Sequence, residues 1–438
     1  MNLGILQLFK FLLIFICLQN LNAEVKSFDF DFIKKGQQDE NTLLIIGGIQ
    51  GDEPGAFMAA SLIATHYDIK KGSVWVIPNL NFYSIIKRSR GPYGDMNRKF
   101  AALSKDDPDY NAIERIKKYI KSDEVKLILN LHDGSGFYRE KYINNKMSPR
   151  RWGQCAIVDQ STLDIEKYGN LEEISSKVVK GINTNLIRER DMYHVKNTKT
   201  RLGDKEMEKT LTYFAINNGK AAFANEASKE LNLQERVYYH LLAIEEYMNI
   251  MGIEYERKFD ISTMAIKKVI DHDIFISFYD EKIKLPLSKV RKLLKYFPIN
   301  TDGSLDFTPS NPLMTIVKQG KEYIIHYGNR KLAKLHPDYI KFIEDERDIS
   351  ISIDGVSQNI KFGDIIYAKN SFNIKPISDL RVNVIGYVNG KNKDEVGVNI
   401  NRNEVARRFS IDQEGNLFRI EFYKGDNFAG MILLGFEK

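Results

Sequence analysis

The sequence predicts a three-layer α/β domain with a mixed sheet, followed by regions rich in short β-strands. Strand-like and helix-like segments alternate from residue 27 to residue 253, which is the pattern of a sheet covered by helices. Beyond about Asp260 the segments become short and β-like, and turn signals such as Asp354-Gly355 and Glu414-Gly415 separate alternating runs. Because 438 residues are too many for one hydrophobic core, we expect two to three domains.

The α/β region begins with a buried strand and ends with a long helix. Pro54 stands near the first turn of the first predicted helix, where proline is tolerated, and Gly252 follows the last one. The continuous apolar strand that ends at Gly134 is typical of a buried position in a parallel or mixed sheet. In chain order the predicted elements are the strand TLLIIGGI, the helix PGAFMAASLIATHY, the strand SVWVIPNLN, the helix DYNAIERIKKYIKS, the strand VKLILNLHDG, the helix LEEISSKVVKGINTNLI, the strand KAAFANEAS and the helix LQERVYYHLLAIEEYMNIMG.

The first 23 residues have the features of a secretory signal. The apolar run from Phe11 to Leu18 is too short for a transmembrane helix and fits the central part of a signal peptide cleaved after Ala23. A retained membrane anchor is the alternative, and no other segment is long and apolar enough to span a bilayer. We therefore expect export and no stable membrane span after cleavage.

The net charge and the cysteine content limit the expected partners and the source of stability. The net charge of +6 is modest for this length and its charges are scattered, so nucleic acid is not expected as a partner. After cleavage only Cys155 remains, which excludes an intramolecular disulfide. The stability of the folded chain must therefore come from packed cores.

Unusual polar side chains stand at the ends of three predicted strands. Gln50 and Glu53 follow the first strand, His132 ends a later strand, and Glu226 ends the last one. Ligands of open α/β sheets gather beyond the carboxyl ends of the strands. Three neutral or anionic donors suit a catalytic zinc ion that keeps one position for water, and Glu226 could be the base that activates that water. Between these strands lies KRSRGPYGDMNRKF, whose arginines could bind an anionic substrate.

Each of these residues also has a purely structural interpretation. Gln50 and Glu53 could cap the first turn of a helix, and His132 could be a satisfied histidine at a strand end. Arg98 could pair with Asp95, and Glu226 could cap the turn after its strand. The four strand-end residues taken together favour a site.

The order of these residues resembles the zinc metallocarboxypeptidase family, with the carboxypeptidase A-like fold. That family uses a His-x-x-Glu pair, an Asn-Arg pair, a distant His and a late Glu; here Gln50 stands where the first His is expected. The resemblance covers roughly residues 40 to 250, and GIQGDEPG and DMNRKF carry it most specifically. An amide oxygen is a weaker donor than imidazole, so this departure predicts lower metal affinity.

The resemblance implies a role for each matching residue. The metal ligands of one zinc ion would be Gln50, Glu53 and His132, and Glu226 would be the general base. Arg90 would polarise the scissile carbonyl, with Arg88 as a nearby competitor for that role. The residues expected to contact the substrate are Asn97, Arg98, Arg88, Trp152 and Thr212; ordinary packing or loop positions are the alternative for Trp152 and Thr212.

The chain also resembles a narrower group, the cell-shape-determining D,L-carboxypeptidases of helical bacteria, in three features: Gln50, the expected export and the β modules. That resemblance implies a carboxypeptidase domain at 24–255, a barrel-like domain at 256–346 and an immunoglobulin-like sandwich at 347–438. It also implies a periplasmic location and the release of terminal meso-diaminopimelate from the tripeptide stem of peptidoglycan, with the stem peptide and other cell-shape proteins as partners. Two alternatives remain open: a deacylase of N-acyl amino acids on the same fold, and a metal-poor module that binds wall peptides.

Overall fold

The structure is a computed structural model that describes residues 28–272, 274–387 and 394–437. The signal peptide predicted for residues 1–23 lies outside these ranges and stays a prediction. None of the helices within them is long and apolar enough to cross a membrane.

The described N-terminal region is built on a seven-stranded mixed sheet. Its strands, together with those of two small two-stranded sheets, are β1 (Ile33–Gly36), β2 (Thr42–Ile46), β3 (Tyr67–Lys71), β4 (Ser73–Ile77), β5 (Val125–Gly134), β6 (Phe137–Tyr138), β7 (Met147–Ser148), β8 (Cys155–Val158), β9 (His194–Asn197), β10 (Ala221–Ser228) and β11 (Glu254–Arg257). The large sheet has the order β1-β4-β2-β5-β10-β8-β9. Strands β4, β2, β5 and β10 run parallel, whereas β1 and β8 pair antiparallel with their neighbours β4 and β10. The carboxyl ends of β2, β5 and β10 therefore lie at one edge.

Helices cover this sheet in two groups. The helices are α1 (Pro54–His66), α2 (Phe82–Lys87), α3 (Tyr110–Lys121), α4 (Leu171–Asn183), α5 (Leu211–Asn217), α6 (Leu233–Ile250) and α7 (Thr263–His272). Helices α1 and α4 both pack on α6, while α3 and α5 contact β5. The predicted α/β architecture with a mixed sheet is thus confirmed, and the helical spacing of Ile113, Ile116 and Ile120 gives the buried face of α3.

The segment after Asp260 differs from the expectation of short β-like elements, because it begins with α7. Ile266, Val269 and Ile270 lie at helical spacing and are buried in α7, which packs against α6. Strand β11 pairs with β3 in a separate two-stranded sheet. The chain therefore leaves the α/β region through β11 and α7, and both elements pack against that region.

The central region is composed of β-strands after α7. They are β12 (Phe275–Phe278), β13 (Ile283–Pro286), β14 (Leu293–Asn300), β15 (Phe307–Pro309), β16 (Met314–Gln319), β17 (Glu322–Tyr327) and β18 (Arg330–Ile340). They form a three-stranded sheet, β13-β12-β15, and a four-stranded sheet, β14-β18-β17-β16. The expected all-β character of this region is confirmed.

The C-terminal region forms two four-stranded sheets that share a separate core. Its strands are β19 (Ile349–Ile353), β20 (Val356–Ile360), β21 (Ile365–Ala368), β22 (Ser371–Ile374), β23 (Arg381–Val384), β24 (Asn399–Asn401), β25 (Leu417–Lys424) and β26 (Asn427–Phe436). The sheets have the orders β20-β19-β22-β24 and β21-β26-β25-β23. Alternate residues such as Ile351 and Ile420 meet in one apolar cluster, as in a sandwich.

The buried apolar residues form two large clusters that do not coincide with the three predicted domains. One continuous cluster joins buried residues of the α/β region, such as Phe57, with residues of the central region, such as Tyr327 and Leu335. Tyr423 and Leu433 of the C-terminal sheets also belong to this cluster, whereas Ile351 and Ile420 belong to a second cluster between those sheets. The boundaries 24–255, 256–346 and 347–438 stay predictions, and a shared core crosses both of the internal ones.

Candidate metal-binding and catalytic cleft

A cleft of about 290 Å³ opens at the carboxyl ends of β2, β5 and β10. It is lined by residues from these strand ends and from the loops between them, namely Gln50, Glu53, Arg90, Asn97, Arg98, Asn130, His132, Asp133, Gly134, Ser135, Trp152, Ile157, Met207, Thr210, Thr212, Ala224, Glu226 and Lys229. All predicted site residues except Arg88 therefore line one cleft.

Glu53 and His132 meet at the floor of the cleft. The Glu53 Oε2 atom lies 2.9 Å from His132 Nδ1, and both side chains are buried. Glu53 occupies the N-cap position of α1 but makes no capping hydrogen bond with its side chain. Instead, Asp133 Oδ2 accepts the hydrogen bond of the Gly55 amide at 2.8 Å. The capping interpretation of Glu53 is therefore wrong, and its carboxylate faces the histidine.

Gln50 is oriented by Asp95. Its Nε2 atom donates to Asp95 Oδ1 at 2.7 Å, and Asp95 also accepts from Arg90 Nε at 2.9 Å. Burial raises the pKa of Asp95, but the hydrogen bond from Gln50 and the charge of Arg90 bring it below its usual value. An ionised carboxylate only accepts hydrogen bonds, so the Gln50 amide nitrogen must face Asp95. The Gln50 carbonyl oxygen is thereby left for another partner.

The second ring nitrogen of His132 contacts Asn130. The two atoms, His132 Nε2 and Asn130 Nδ2, lie 2.9 Å apart, while the buried Oδ1 atom of Asn130 has no hydrogen-bond partner. If Nδ1 binds a metal, the proton of the neutral ring resides on Nε2 and needs an acceptor. A half-turn of the Asn130 amide supplies Oδ1 as that acceptor. Burial lowers the pKa of His132, but Glu53 and the charges of Glu226 and Asp95 together outweigh it, so the net direction is upward.

These donors fit a divalent metal. Two ligand atoms of a tetrahedral zinc ion are separated by about 3.3 Å, and Glu53 Oε2 and His132 Nδ1 are 2.9 Å apart. With the Gln50 carbonyl they form a set of one nitrogen and two oxygen donors, which zinc accepts. The unpartnered Asn130 Oδ1 supplies the support that a metal-bound histidine requires.

Glu226 faces the same floor from β10. It is 9% exposed, and its Oε2 atom is buried without a hydrogen-bond partner. Burial is the main cause that raises the pKa of Glu226 to about 8; the charge of His132 acts in the opposite direction. A carboxylate that capped the following turn would be hydrogen-bonded, so the capping interpretation of this residue is wrong. A raised pKa in a cleft is typical of a group that exchanges protons.

The loop after α2 supplies three further residues of the cleft. Arg90 Nη1 lies 3.8 Å from Glu53 Oε1. Asn97 and Arg98 lie in a 3₁₀ turn, Met96–Arg98, that Asp95 caps by accepting from the Asn97 amide. The Asn97 Oδ1 atom accepts from the Leu211 amide at 3.0 Å, and the Asn97 amide nitrogen lies 3.4 Å from His132 Nε2. Arg98 pairs with Glu206 at 3.9 Å rather than with Asp95, so the pairing expected as its structural alternative is wrong.

The remaining predicted contacts divide into two cases. Trp152 lines the cleft, and Lys196 Nζ lies 3.6 Å from the centre of its ring. Thr212 lines the cleft from the first turn of α5, whereas its structural alternative was an ordinary strand or loop position. Arg88 does not line the cleft. Its Nε atom donates to the carbonyl of Asn329 in the central region at 2.5 Å. Of the two competing arginines, therefore, only Arg90 is in the cleft.

Sequence reasoning missed several residues that the structure brings to the site. Lys229 pairs with Asp52 at 2.8 Å and lies 3.6 Å from Glu53 Oε1. Asp133 is fully buried beneath the floor, where it contacts Arg236 at 2.7 Å and His240 at 3.1 Å. The signals in the sequence were their positions, since Lys229 stands three residues after Glu226 and Asp133 directly follows His132, and neighbours of strand-end residues share their edge of the sheet.

Comparisons with known proteins agree with this architecture. Residues 9–271 match a family described as "Carboxypeptidase controlling helical cell shape catalytic", and residues 342–437 match the "C-terminal domain of metallo-carboxypeptidase". No curated protein matches the chain.

Solved structures of one protein, the cell shape determinant Csd4 from Helicobacter pylori, are similar over nearly the whole chain. Its tripeptide-bound form is 39% identical with a TM-score of 0.84, covering 93% of this chain and 100% of that chain. The form bound to mDAP (meso-diaminopimelate), described as a D,L-carboxypeptidase, is 40% identical with a TM-score of 0.85, covering 92% of this chain and 100% of that chain. The chain therefore belongs to the family of metallo-carboxypeptidases that control helical cell shape.

Proposed function

We propose that the chain is a zinc-dependent D,L-carboxypeptidase that releases the terminal meso-diaminopimelate from tripeptide stems of peptidoglycan. The main support is the cleft, which unites a set of metal donors, an unpartnered buried carboxylate and the Asn97–Arg98 pair. Support for the substrate comes from the Helicobacter pylori relative, which has been solved with a tripeptide and with mDAP. Trimming of these stems would influence the shape of the cell wall.

Gln50, Glu53 and His132 are the proposed zinc ligands. A zinc ion held there supplies Lewis-acid activation of water and of the scissile carbonyl. Asp95 holds the amide of Gln50, and Asn130 contacts the second ring nitrogen of His132, so each donor has a supporting neighbour. The anchored amide offsets part of the weakness of glutamine as a ligand.

Glu226 is the proposed general base. Its buried carboxylate takes a proton from the attacking water and then delivers that proton to the nitrogen of the leaving amino acid. The position of Glu226 in the cleft and its raised pKa support this role. Arg90 donates to the oxygen of the scissile carbonyl as negative charge develops on it.

The substrate carboxylate is proposed to bind Asn97 and Arg98. A guanidinium and an amide can offer parallel N–H groups to the two carboxylate oxygens. Trp152 and Thr212 are proposed to contact the far end of diaminopimelate, which carries a second carboxylate and an amine. The proposal leaves Arg88 out of this set, since its guanidinium bonds Asn329.

The proposed location is the periplasm, reached through a signal peptide at residues 1–23. We further propose the domain limits 24–255, 256–346 and 347–438, with the two β domains available to other cell-shape proteins.

The test is turnover and metal content on one sample. The chain from Glu24 onward would be purified, its bound zinc quantified, and muramyl tripeptide added while the release of diaminopimelate is followed by mass spectrometry. We expect release that stops with a chelator and returns with zinc. Zinc binding without release would point to another amide substrate, and peptide binding with neither zinc nor release would favour the recognition module.

A further inference from the structure

The turn between β17 and β18 packs directly on the α/β region. Gly328, at φ +52°, approaches α1 so closely that an added Cβ would lie 2.8 Å from Phe57 Cε2 and 3.1 Å from Met58 Cε. A second contact lies nearby, since Asn79 Nδ2 donates to the Pro312 carbonyl at 3.0 Å. The apolar core is continuous across this contact. The turn is thus held in place against the catalytic region.

Arg88 joins this turn to the catalytic loop. It ends α2 in the left-handed conformation at φ 55°, and its backbone amide donates to the Ile85 carbonyl at 3.1 Å. That conformation directs the chain from α2 into the segment that carries Ser89 and Arg90. At the same time the Nε atom of Arg88 donates to the carbonyl of Asn329. A strained position in a non-glycine residue persists only where surrounding contacts hold it.

Two routes connect the segment after Arg88 to Gln50. In the backbone route, the Ser89 carbonyl accepts from the amide of Gly51, the residue next to Gln50, at 2.9 Å. An added Cβ at Gly51 would lie 2.1 Å from the backbone of Ser84, so the turn has no space to shift.

The second route runs through side chains. Arg90 donates to Asp95, and Asp95 accepts from the amide of Gln50 at 2.7 Å. A displacement of the segment 88–90 would therefore move the proposed zinc ligand and the proposed carbonyl-polarising arginine together.

We infer that the central β region is a working part of the active site: its β17–β18 turn, through Arg88, positions Gln50 and Arg90. This inference rests on the proposed function. Arg88 is a positioning residue in this scheme, because it acts through Ser89, Arg90 and Asp95 and does not line the cleft. The central region thereby gains a specific role in catalysis besides its shared core.

The test compares Arg88→Ala with Lys87→Ala in the full chain from Glu24 onward. Lys87 is a neighbouring exposed cation that faces the Tyr83 ring, so its removal controls for charge. We expect Arg88→Ala to lower kcat about tenfold, the value of one charge-assisted hydrogen bond. Zinc affinity of the metal-free protein, measured by chelator competition, should fall several-fold, while KM changes little. Added guanidinium ion at millimolar concentration, or the variant Arg88→Lys, should restore part of both quantities.

Three outcomes would overturn the inference. One is an Arg88→Ala protein with kcat and zinc affinity within twofold of the parent. Another is a rise in KM alone, because it would mean that Arg88 contacts the substrate. The third is an equal loss in Lys87→Ala. If the parent protein binds zinc but hydrolyses no stem peptide, the proposed function fails, and the zinc affinities of the variants still decide the inference.

Discussion

The floor of the cleft lies at three strand ends, whereas its wall is built from the segments between strands. We define the floor as Gln50, Glu53, His132 and Glu226, and the wall as Arg90, Asn97, Arg98, Trp152 and Thr212. Two floor residues, Glu226 and His132, are placed by the register of the sheet, because they pair across β10 and β5. Gln50 and Glu53 lie in the turn between β2 and α1. Wall residues are placed by capping, by side-chain contacts and by neighbouring regions.

This difference explains how much of the site the sequence could predict. Strand ends follow from apolar runs and their stops, so the edge shared by the floor residues follows from the α/β pattern alone. The roles of the wall residues required a family resemblance. Arg88 and Arg90 are two residues apart and chemically identical, yet Arg88, in the left-handed conformation, bonds Asn329 while Arg90 bonds Asp95. No periodicity in the sequence encodes that conformation.

The same limit applies to the fold. Strands β2, β4, β5 and β10 and helices α1, α3, α4 and α6 were predictable because their apolar periods are long. The shorter strands β1, β8 and β9 and helices α2 and α5 were not predicted. Helix α7 was not predicted either, because its apolar positions, Ile266, Val269 and Ile270, span little more than one turn inside a region of β-like composition. Short elements are decided by the surface on which they pack, here α6.

The largest effect is expected from replacing Glu226, the proposed proton acceptor of the floor. Glu226→Gln keeps the shape of the side chain but takes no proton, so kcat should fall about 10²- to 10⁴-fold. Tripeptide binding, measured by calorimetry, should stay close to that of the parent protein. Glu230→Gln, four residues along the chain and paired with Lys146 at the surface, serves as the control. Turnover of Glu226→Gln within tenfold of the parent would remove Glu226 from the mechanism.

The next largest effect is expected from replacing Asp95, which bonds both Gln50 of the floor and Arg90 of the wall. Asp95→Ala removes the acceptor of both Gln50 and Arg90, so zinc affinity should fall about 10- to 100-fold. Chelator competition on the metal-free protein measures this change, and Asp106→Ala, an exposed carboxylate of the same region, is the matched control. Unchanged zinc affinity in Asp95→Ala would mean that the floor is organised independently of the wall.

A smaller effect is expected in the wall alone. Arg98→Ala should raise KM about tenfold with a smaller change in kcat, because one charge-assisted hydrogen bond to the substrate carboxylate is lost. Steady-state kinetics with the tripeptide and with its C-terminal amide separates the two quantities. The amide should be a poor substrate for the parent protein, and Arg98→Ala should discriminate less between them. A parent protein that hydrolyses both equally well would contradict this assignment.

The smallest expected effect is a pH dependence of stability. Burial raises the pKa of Glu226 to about 8, from its ordinary value of 4.5 in an unfolded chain. The metal-free folded state therefore holds a proton that the unfolded state has released, and this stabilisation is present at low pH and lost as the pH rises through about 8. The Tm of the metal-free parent relative to Glu226→Gln should thus decrease from pH 5 to pH 9. A constant difference would show that Glu226 has an ordinary pKa.

The central claim is that one cleft holds zinc on Gln50, Glu53 and His132 and the stem peptide on its wall. The most direct measurement is a crystal structure of Glu226→Gln with zinc and muramyl tripeptide, with anomalous diffraction recorded at the zinc edge. We predict an anomalous peak about 2.0–2.2 Å from Gln50 Oε1, the Glu53 carboxylate and His132 Nδ1. The terminal carboxylate of the peptide should lie against Asn97 and Arg98. Zinc bound away from these three residues, or a peptide whose terminal carboxylate points out of the cleft, would contradict the account.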